Sequence, residues 1–152
     1  MSQPFAQSGN RILRRVQVDR SRSPQEALSA TKCLQYVDDD VMDTMPRGMW
    51  DPVTVIFFKP NLPKRGRISD TDLQEAFWQE GLKPADPYSL MAAIEVDALV
   101  GTHFHATHWQ NENGEWCFLI FDVLTGERCV HVRAGSSDDW YNEDVWLVGL
   151  PR

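Results

Sequence analysis

Two turns in the last third of the chain predict a three-stranded antiparallel meander and set its register by counting. Asn113-Gly114 indicates a two-residue hairpin loop, because both residues accept a positive φ. Thr125-Gly126 marks a second turn of the same length. With two residues in each loop, Trp109 is expected opposite Phe118, and Phe118 opposite Arg133. An error of one residue in either loop would move every side chain of a strand to the other face.

The same register places ionisable side chains in one row across the three strands. His105 is expected opposite Asp122, and Asp122 opposite Cys129. His131 falls one row away. Three interpretations stay open: a structural histidine held by a carboxylate beside a small apolar cysteine, a zinc site, or a cysteine nucleophile activated by histidine and aspartate.

The predicted face that carries this row is aromatic at its other end. Trp109, Trp116, Phe118 and Arg133 would lie there, a composition typical of a binding surface. Trp140 follows in a polar, acidic loop and is either an anchor for a partner or a lid over the sheet. The opposite face is expected to be the core, formed by Phe104, Ala106, His108, Cys117, Leu119, Phe121, Val130 and Val132.

Hydrophobic patterns upstream and downstream of the meander predict further strands. Residues Val53–Phe58 form the clearest one, because they are β-branched or aromatic and apolar on both faces apart from one threonine. Other strands are predicted at about 12–19, at 34–37 and at 145–148. Three consecutive aspartates at 38–40 predict a short helix or turn.

Capping residues predict where the helices begin. Ser23-Pro24 combines an N-cap with a proline at the first helical position, and Glu26 completes a capping box. Ser69 begins a second helix that ends at Gly81, and Asp86-Pro87 begins a third. The expected fold class is therefore α+β: a mainly antiparallel sheet with a C-terminal β-meander and about three helices packed mostly on one face. Residues 1–10 are polar and expected to be disordered, and 11–152 are expected to form a single domain.

Composition narrows the possible partners. The 152 residues carry a net charge of −7, and six of them are tryptophans. This acidic chain disfavours binding to nucleic acid, where neutralisation of phosphates dominates the affinity. Three cysteines without a CxxC spacing disfavour a disulfide framework or zinc knuckle. No apolar run approaches the roughly 20 residues of a membrane span, and no secretory signal opens the chain, which predicts a cytoplasmic protein away from membranes.

Four short strings resemble small uncharacterised bacterial proteins of plasmid- or phage-like context. They are Thr107-His108-Trp109, the run from Asn113 to Phe118, the run from Tyr36 to Val41, and the run from Leu82 to Leu90. The resemblance implies a bacterial origin and brings no activity, cofactor or site residue with it.

Two functions are consistent with these patterns. The first, which we favour, is a non-enzymatic interaction module without a cofactor that binds a basic or neutral protein through the aromatic face. The alternative is a zinc-dependent hydrolase built on His105, Asp122, Cys129 and His131. The hydrolase requires these groups in a pocket with a shifted pKa, whereas the module requires an exposed apolar patch.

Overall fold

The computed structural model describes residues 11–60, 69–96, 104–135 and 145–152, and the strands within them form one mixed sheet. The predicted N-terminal segment 1–10 and Trp140 lie outside the described residues. In chain order the elements are β1 (Arg11–Val16), α1 (Pro24–Ala30), β2 (Leu34–Val37), α2 (Asp39–Met42), β3 (Val53–Phe58), α3 (Asp70–Gln79), β4 (Leu82–Pro84), α4 (Pro87–Val96), β5 (Phe104–Gln110), β6 (Trp116–Leu124), β7 (Glu127–Ala134) and β8 (Val145–Pro151).

The sheet is mostly antiparallel, as predicted, but not entirely. Its strand order is β1-β3-β8-β5-β6-β7-β2, and β4 also pairs with β8. The pairs β5–β8 and β2–β7 are parallel, and the other pairs are antiparallel. The described residues contain four helices, because the aspartates at 38–40 do lead into a short helix.

Strand β8 is the point at which the sheet branches. It pairs with β3 along one edge. Along the other edge it pairs first with β5, from Val145 to Leu147, and then with β4, from Gly149 to Pro151. Just beyond the separation, the Thr107 hydroxyl donates to the Ala85 carbonyl at 2.6 Å and links β5 to the end of β4. We call this place, where β4 and β5 diverge along β8, the fork.

Helices cover both faces of the sheet, which differs from the predicted packing mostly on one face. The reason is visible in β3, whose two apolar faces both need cover. On one side, the three-helix face, α1, α2 and α4 pack over a core that includes Leu28, Val55, Phe57, Leu90, Ile94, Leu119, Val130 and Val148. On the other side, the α3 face, helix α3 packs over a core that includes Ile56, Phe58, Leu73, Phe77, Ala106, Phe118, Ile120 and Leu147.

The predicted capping box at the start of α1 is confirmed. The Ser23 hydroxyl accepts from the Glu26 N–H at 3.1 Å, and the Glu26 carboxylate accepts from the Ser23 N–H at 2.8 Å. Ser69 and Asp72 make the same reciprocal pair at the start of α3. These local bonds satisfy backbone donors that the first helical turn leaves free.

The second hairpin has the predicted register, and the first does not. Phe118 pairs with Arg133 across a two-residue turn in which Thr125 and Gly126 both have positive φ, as a type I′ turn requires. In the first hairpin, however, Trp109 pairs with Cys117. The chain there closes with three loop residues, since the Asn111 N–H donates to the Glu115 carbonyl at 2.9 Å.

The side chain of Asn111 explains this longer loop. Its Oδ1 accepts from the backbone N–H groups of Asn113 at 2.9 Å and Glu115 at 3.0 Å. Only Gly114 takes a positive φ, +77°, which fits a type I turn followed by a glycine bulge. The one-residue shift moves the even-numbered side chains of β5 to the α3 face and the odd-numbered ones to the three-helix face.

No helix in the described ranges is both long and apolar enough to cross a membrane.

The assignment of the core predicts a large cost for Leu119→Ala. Leu119 is 0% exposed, so this truncation should lower the free energy of unfolding by about 2–5 kcal/mol. Leu124→Ala removes the same atoms from the same strand at a site that is 48% exposed, and it should cost less than about 1 kcal/mol. Urea unfolding followed by circular dichroism measures both values. Equal losses would contradict the placement of Leu119 in the core.

Candidate functional site

The predicted row of His105, Asp122 and Cys129 does not form. His105 pairs with Phe121 and is buried on the three-helix face, with its ring edge-on to Phe57 at 5.0 Å. Asp122 projects from the α3 face. The expected row depended on a two-residue loop at Asn113-Gly114, and the longer loop separates its first member from the rest.

The other two members of the row, Asp122 and Cys129, stay together on the α3 face, and His131 lies beside them. His131 Nε2 lies 3.2 Å from Asp122 Oδ1, and the imidazole stacks on Tyr36 at 5.2 Å. Cys129 pairs with Asp122 and is buried. Burial raises the pKa of the Cys129 thiol, and the Asp122 charge adds to this, so the sulfur is held in the protonated, weakly nucleophilic form. In the described part of the chain, no three His, Cys, Asp or Glu side chains are grouped so that they could hold a metal ion.

The predicted aromatic face is divided by the same shift. Trp109 is buried on the three-helix face, where its indole N–H donates to the Thr44 hydroxyl at 3.2 Å near the end of α2. Trp116, Phe118 and Arg133 remain together on the α3 face. Phe118 is buried there, Trp116 is half-buried and Arg133 is exposed.

His108 takes the position that was expected for Trp109. It pairs with Phe118, so that His108, Phe118 and Arg133 form one row across β5, β6 and β7. The imidazole stacks on Trp116 at 4.2 Å with 17° between the ring planes. On its other side it stacks on Phe77 of α3 at 5.7 Å and 23°. Phe77, His108 and Trp116 therefore form a stack of three near-parallel rings. We call this stack the wall, and it reaches the surface at Trp116.

An open cleft of about 410 Å³ runs along this wall, and we call it the Trp78–Trp116 cleft. Its other side is formed by α3, where Trp78 is 64% exposed. The guanidinium of Arg152 lies over the Trp78 ring, 4.4 Å from its centroid. Its remaining lining includes Glu75, Phe77, Pro84 and His108.

His108 lies in this wall between the other two rings. It is 4% exposed, and within the described residues neither ring nitrogen has a hydrogen-bond partner. Burial lowers the pKa of His108 from 6.5 to about 4, so the ring is neutral at physiological pH. A neutral imidazole carries one donor and one acceptor, and both are unused here.

A second aromatic feature lies on the other side of the fork. Met49 and Trp50 project from the loop between α2 and β3, and Trp50 is 76% exposed. They line a smaller cavity of about 230 Å³ that also contacts Pro84 and His108. The two cavities therefore adjoin at the fork. We call the combined region the fork surface; Met49, Trp50 and Trp78 are its exposed members, and Trp116 is half-buried.

Arg20 holds this loop in place. Its guanidinium donates to the carbonyls of Met49 at 2.7 Å and Trp50 at 2.8 Å, and to the carbonyl of Arg47. It also pairs with the Asp86 carboxylate at 2.9 Å, and both side chains are largely buried. Asp86 in turn accepts from the Ser89 N–H at 2.9 Å in the first turn of α4. The loop is thus attached to the helix that supports the three-helix face.

The backbone of this loop is strained where it presents the tryptophan. Trp50 has a φ of +75°, which bulky L-residues rarely adopt. Gly48 has a φ of +72°, and a Cβ at that position would overlap the Asp86 carboxylate. An exposed aromatic side chain held by strained backbone and an arginine clamp adds little to the core, which makes it a candidate for function.

Another cavity, of about 510 Å³ between the β1–α1 segment and α4, is less suited to a ligand. Its charged groups are already paired with each other or with the backbone. Arg22 contacts Glu95 at 3.1 Å, and Asp51 accepts from the Val18 N–H at 2.8 Å. Few polar groups there are left for a ligand.

One of the two missed tryptophans could have been found from the sequence. Trp78 lies on α3 beside Phe77 but off the buried stripe of Leu73, Ala76 and Phe77, so the helical period alone places it outside the core. Trp50 could not have been found in this way, because its exposure depends on Arg20, which lies far away along the chain.

Similarity to known proteins does not supply a function for this surface. In comparisons with family models, with curated proteins and with solved structures, no match to the chain is found. A function therefore has to follow from the chemistry of these residues.

The buried, neutral His108 predicts a specific pH dependence of stability. The unfolded state, with a pKa near 6.5, binds more protons than the folded state, with a pKa of about 4. The contribution of the neutral His108 ring to the free energy of unfolding is therefore complete above the pKa of the unfolded state. It decreases as the pH falls towards the pKa of the folded state, by roughly 3 kcal/mol in all. His108→Phe keeps a ring in the stack and should remove this component. Urea unfolding of both proteins across the window measures it, and parallel losses would contradict the assignment.

The Arg20 clamp predicts a loosened loop in Arg20→Lys. An ammonium cannot bond two carbonyls and the Asp86 carboxylate in the planar geometry of a guanidinium. Amide hydrogen exchange at residues 47–50 should accelerate about tenfold, and the free energy of unfolding should fall by about 1–3 kcal/mol. Arg15→Lys is the control, because Arg15 is exposed and, within the described residues, its guanidinium hydrogen-bonds only Thr54, at 3.4 Å. Unchanged exchange in Arg20→Lys would show that the clamp does not hold the loop.

Proposed function

We propose that this chain is a non-enzymatic interaction module that binds a protein partner through the fork surface. The observation that carries the proposal is Trp50, which is 76% exposed, has a φ of +75° and lies in a loop whose carbonyls at Arg47, Met49 and Trp50 accept four hydrogen bonds from Arg20. Strain of this kind persists only where the surroundings enforce it. The folded protein gains little from burying the indole, so the gain is expected when a partner covers it.

The rest of the fork surface supports this proposal. Trp78 and Trp116 line the adjoining cleft, and tryptophan is the residue most often found at the energetic centre of protein interfaces. Because Arg20 fixes the backbone at Trp50, the ring stack holds Trp116 and Arg152 lies over Trp78, little side-chain entropy would be lost on association.

The net charge of the chain indicates which class of partner it favours. A charge of −7 favours encounter with basic or neutral proteins over other acidic ones and over nucleic acid. The patch formed by Leu34, Tyr36 and Leu124 is a weaker candidate for the contact, since these side chains are only about half exposed.

The zinc-hydrolase alternative lacks a supporting observation in the described residues. His105 lies on the wrong face, and the thiol of Cys129 is buried and protonated. We therefore propose no reaction for this site.

Selection of peptides tests the proposal. The full chain is immobilised and random peptides are selected by display, and the affinity of each winner is then measured for the wild type, Trp50→Ala and Trp78→Ala. Loss of a buried tryptophan contact should weaken binding about tenfold or more in at least one variant. Tyr36→Ala, an exposed aromatic residue on β2, should bind as the wild type does. Winners that bind all four proteins equally, or a selection without winners, would contradict the fork surface as a binding site.

A further inference from the structure

We infer that the Trp78–Trp116 cleft binds an extended, proline-containing peptide that carries a carboxylate, a partner class that rests on the proposed function. Shape, hydrogen-bonding capacity and local charge each support this choice.

The shape of the cleft suits a flat, extended ligand. One wall is the stack of Trp116, His108 and Phe77, whose rings deviate from parallel by 17° and 23°. The other wall carries the exposed ring of Trp78, and Pro84 also lines the cleft. Aromatic grooves of this kind accept polyproline II segments, because pyrrolidine rings lie flat on aromatic faces and the segment is already ordered before it binds.

The hydrogen-bonding groups of the cleft are mainly donors. Among the described residues, the indole N–H groups of Trp78 and Trp116 make no hydrogen bond, and Arg152 uses only its Nε, which donates to the Leu82 carbonyl at 3.1 Å. The main acceptor, the Glu75 carboxylate, already accepts from the Gln79 amide at 3.1 Å. A ligand rich in acceptors and poor in donors fits these walls. Proline meets this condition, because it contributes a carbonyl and no N–H.

The local charge selects a carboxylate on that ligand. Arg133 is exposed, makes no hydrogen bond within the described residues, and lies in the His108–Phe118 row, about 10 Å from His108 across two strand spacings. Arg152 covers the Trp78 face on which an ammonium group would otherwise sit, so a lysine or methylated amine is disfavoured there. The net charge of the chain does not oppose one carboxylate, since salt screens distant charges beyond about 8–10 Å.

Peptides that differ at one chemical group test this inference. The reference probe is a fluorescent Pro-Pro-Glu-Pro-Pro peptide with blocked ends, titrated into the full chain by fluorescence anisotropy. Replacement of its prolines by alanine should weaken binding about tenfold. Replacement of its glutamate by glutamine should weaken binding about three- to tenfold for the wild type and have no effect for Arg133→Gln. Trp116→Phe keeps an aromatic ring at this position but loses the indole N–H and part of the ring area. It should also weaken binding about three- to tenfold.

Several outcomes would overturn the inference. Equal affinity for the proline and alanine peptides would exclude the proline class. A glutamate preference that survives in Arg133→Gln would exclude the proposed charge pairing. Displacement of the probe by oligothymidylate would point to single-stranded nucleic acid instead. If the designed probes fail while display yields binders that need Trp78, the inference is wrong and the interaction module stands, whereas failure of both removes both.

Discussion

The double pairing of β8 is the constraint on which the rest of this structure depends. One edge of this strand is occupied by β3, and the other is shared in sequence by β5 and β4. Gly149 lies where the change occurs, and it pairs with both Ile56 and Pro84. A Cβ there would lie 3.0 Å from the Lys83 carbonyl oxygen, closer than an ordinary contact, so the close approach of three strands favours a residue without a side chain. Because two strands cannot occupy one edge, β5 must diverge from β8.

That divergence produces the aromatic surface. Beyond the fork, His108 of β5 and Pro84 of β4 separate, and both contact the cavities on either side. His108 is nonetheless buried, because the rings of Phe77 and Trp116 enclose its imidazole. The ring nitrogens of His108 then lie in an aromatic stack without a hydrogen-bond partner among the described residues, an arrangement that costs stability and is expected near a binding site. The clamp of Arg20 adds Trp50 to the same region from a distant loop.

Features set by neighbouring residues could be predicted, and features set by distant contacts could not. The Ser23 cap, the Ser69 cap and the Thr125-Gly126 turn each depend on a few consecutive residues, and all three are as expected. The predicted register of the first hairpin was wrong because a single side chain, that of Asn111, competes with the turn preference of Asn113-Gly114. Asn111 is therefore also the reason that His108, and not Trp109, lies opposite Phe118 at the site. The prediction that the helices pack mostly on one face was wrong for another reason. The pattern of a strand shows that both of its faces are covered, but it does not show which helix covers each face.

The order in which the chain is synthesised gives the branching strand a further consequence. β3 emerges early and carries aromatic and aliphatic side chains on both faces, yet one of its edges has no partner until residues 145–151 have been made. A nascent chain that pauses before β8 would therefore present a hydrophobic edge of the kind that aggregates. The unpaired edge of β3 is therefore a part of the nascent chain that needs shielding until β8 has been made.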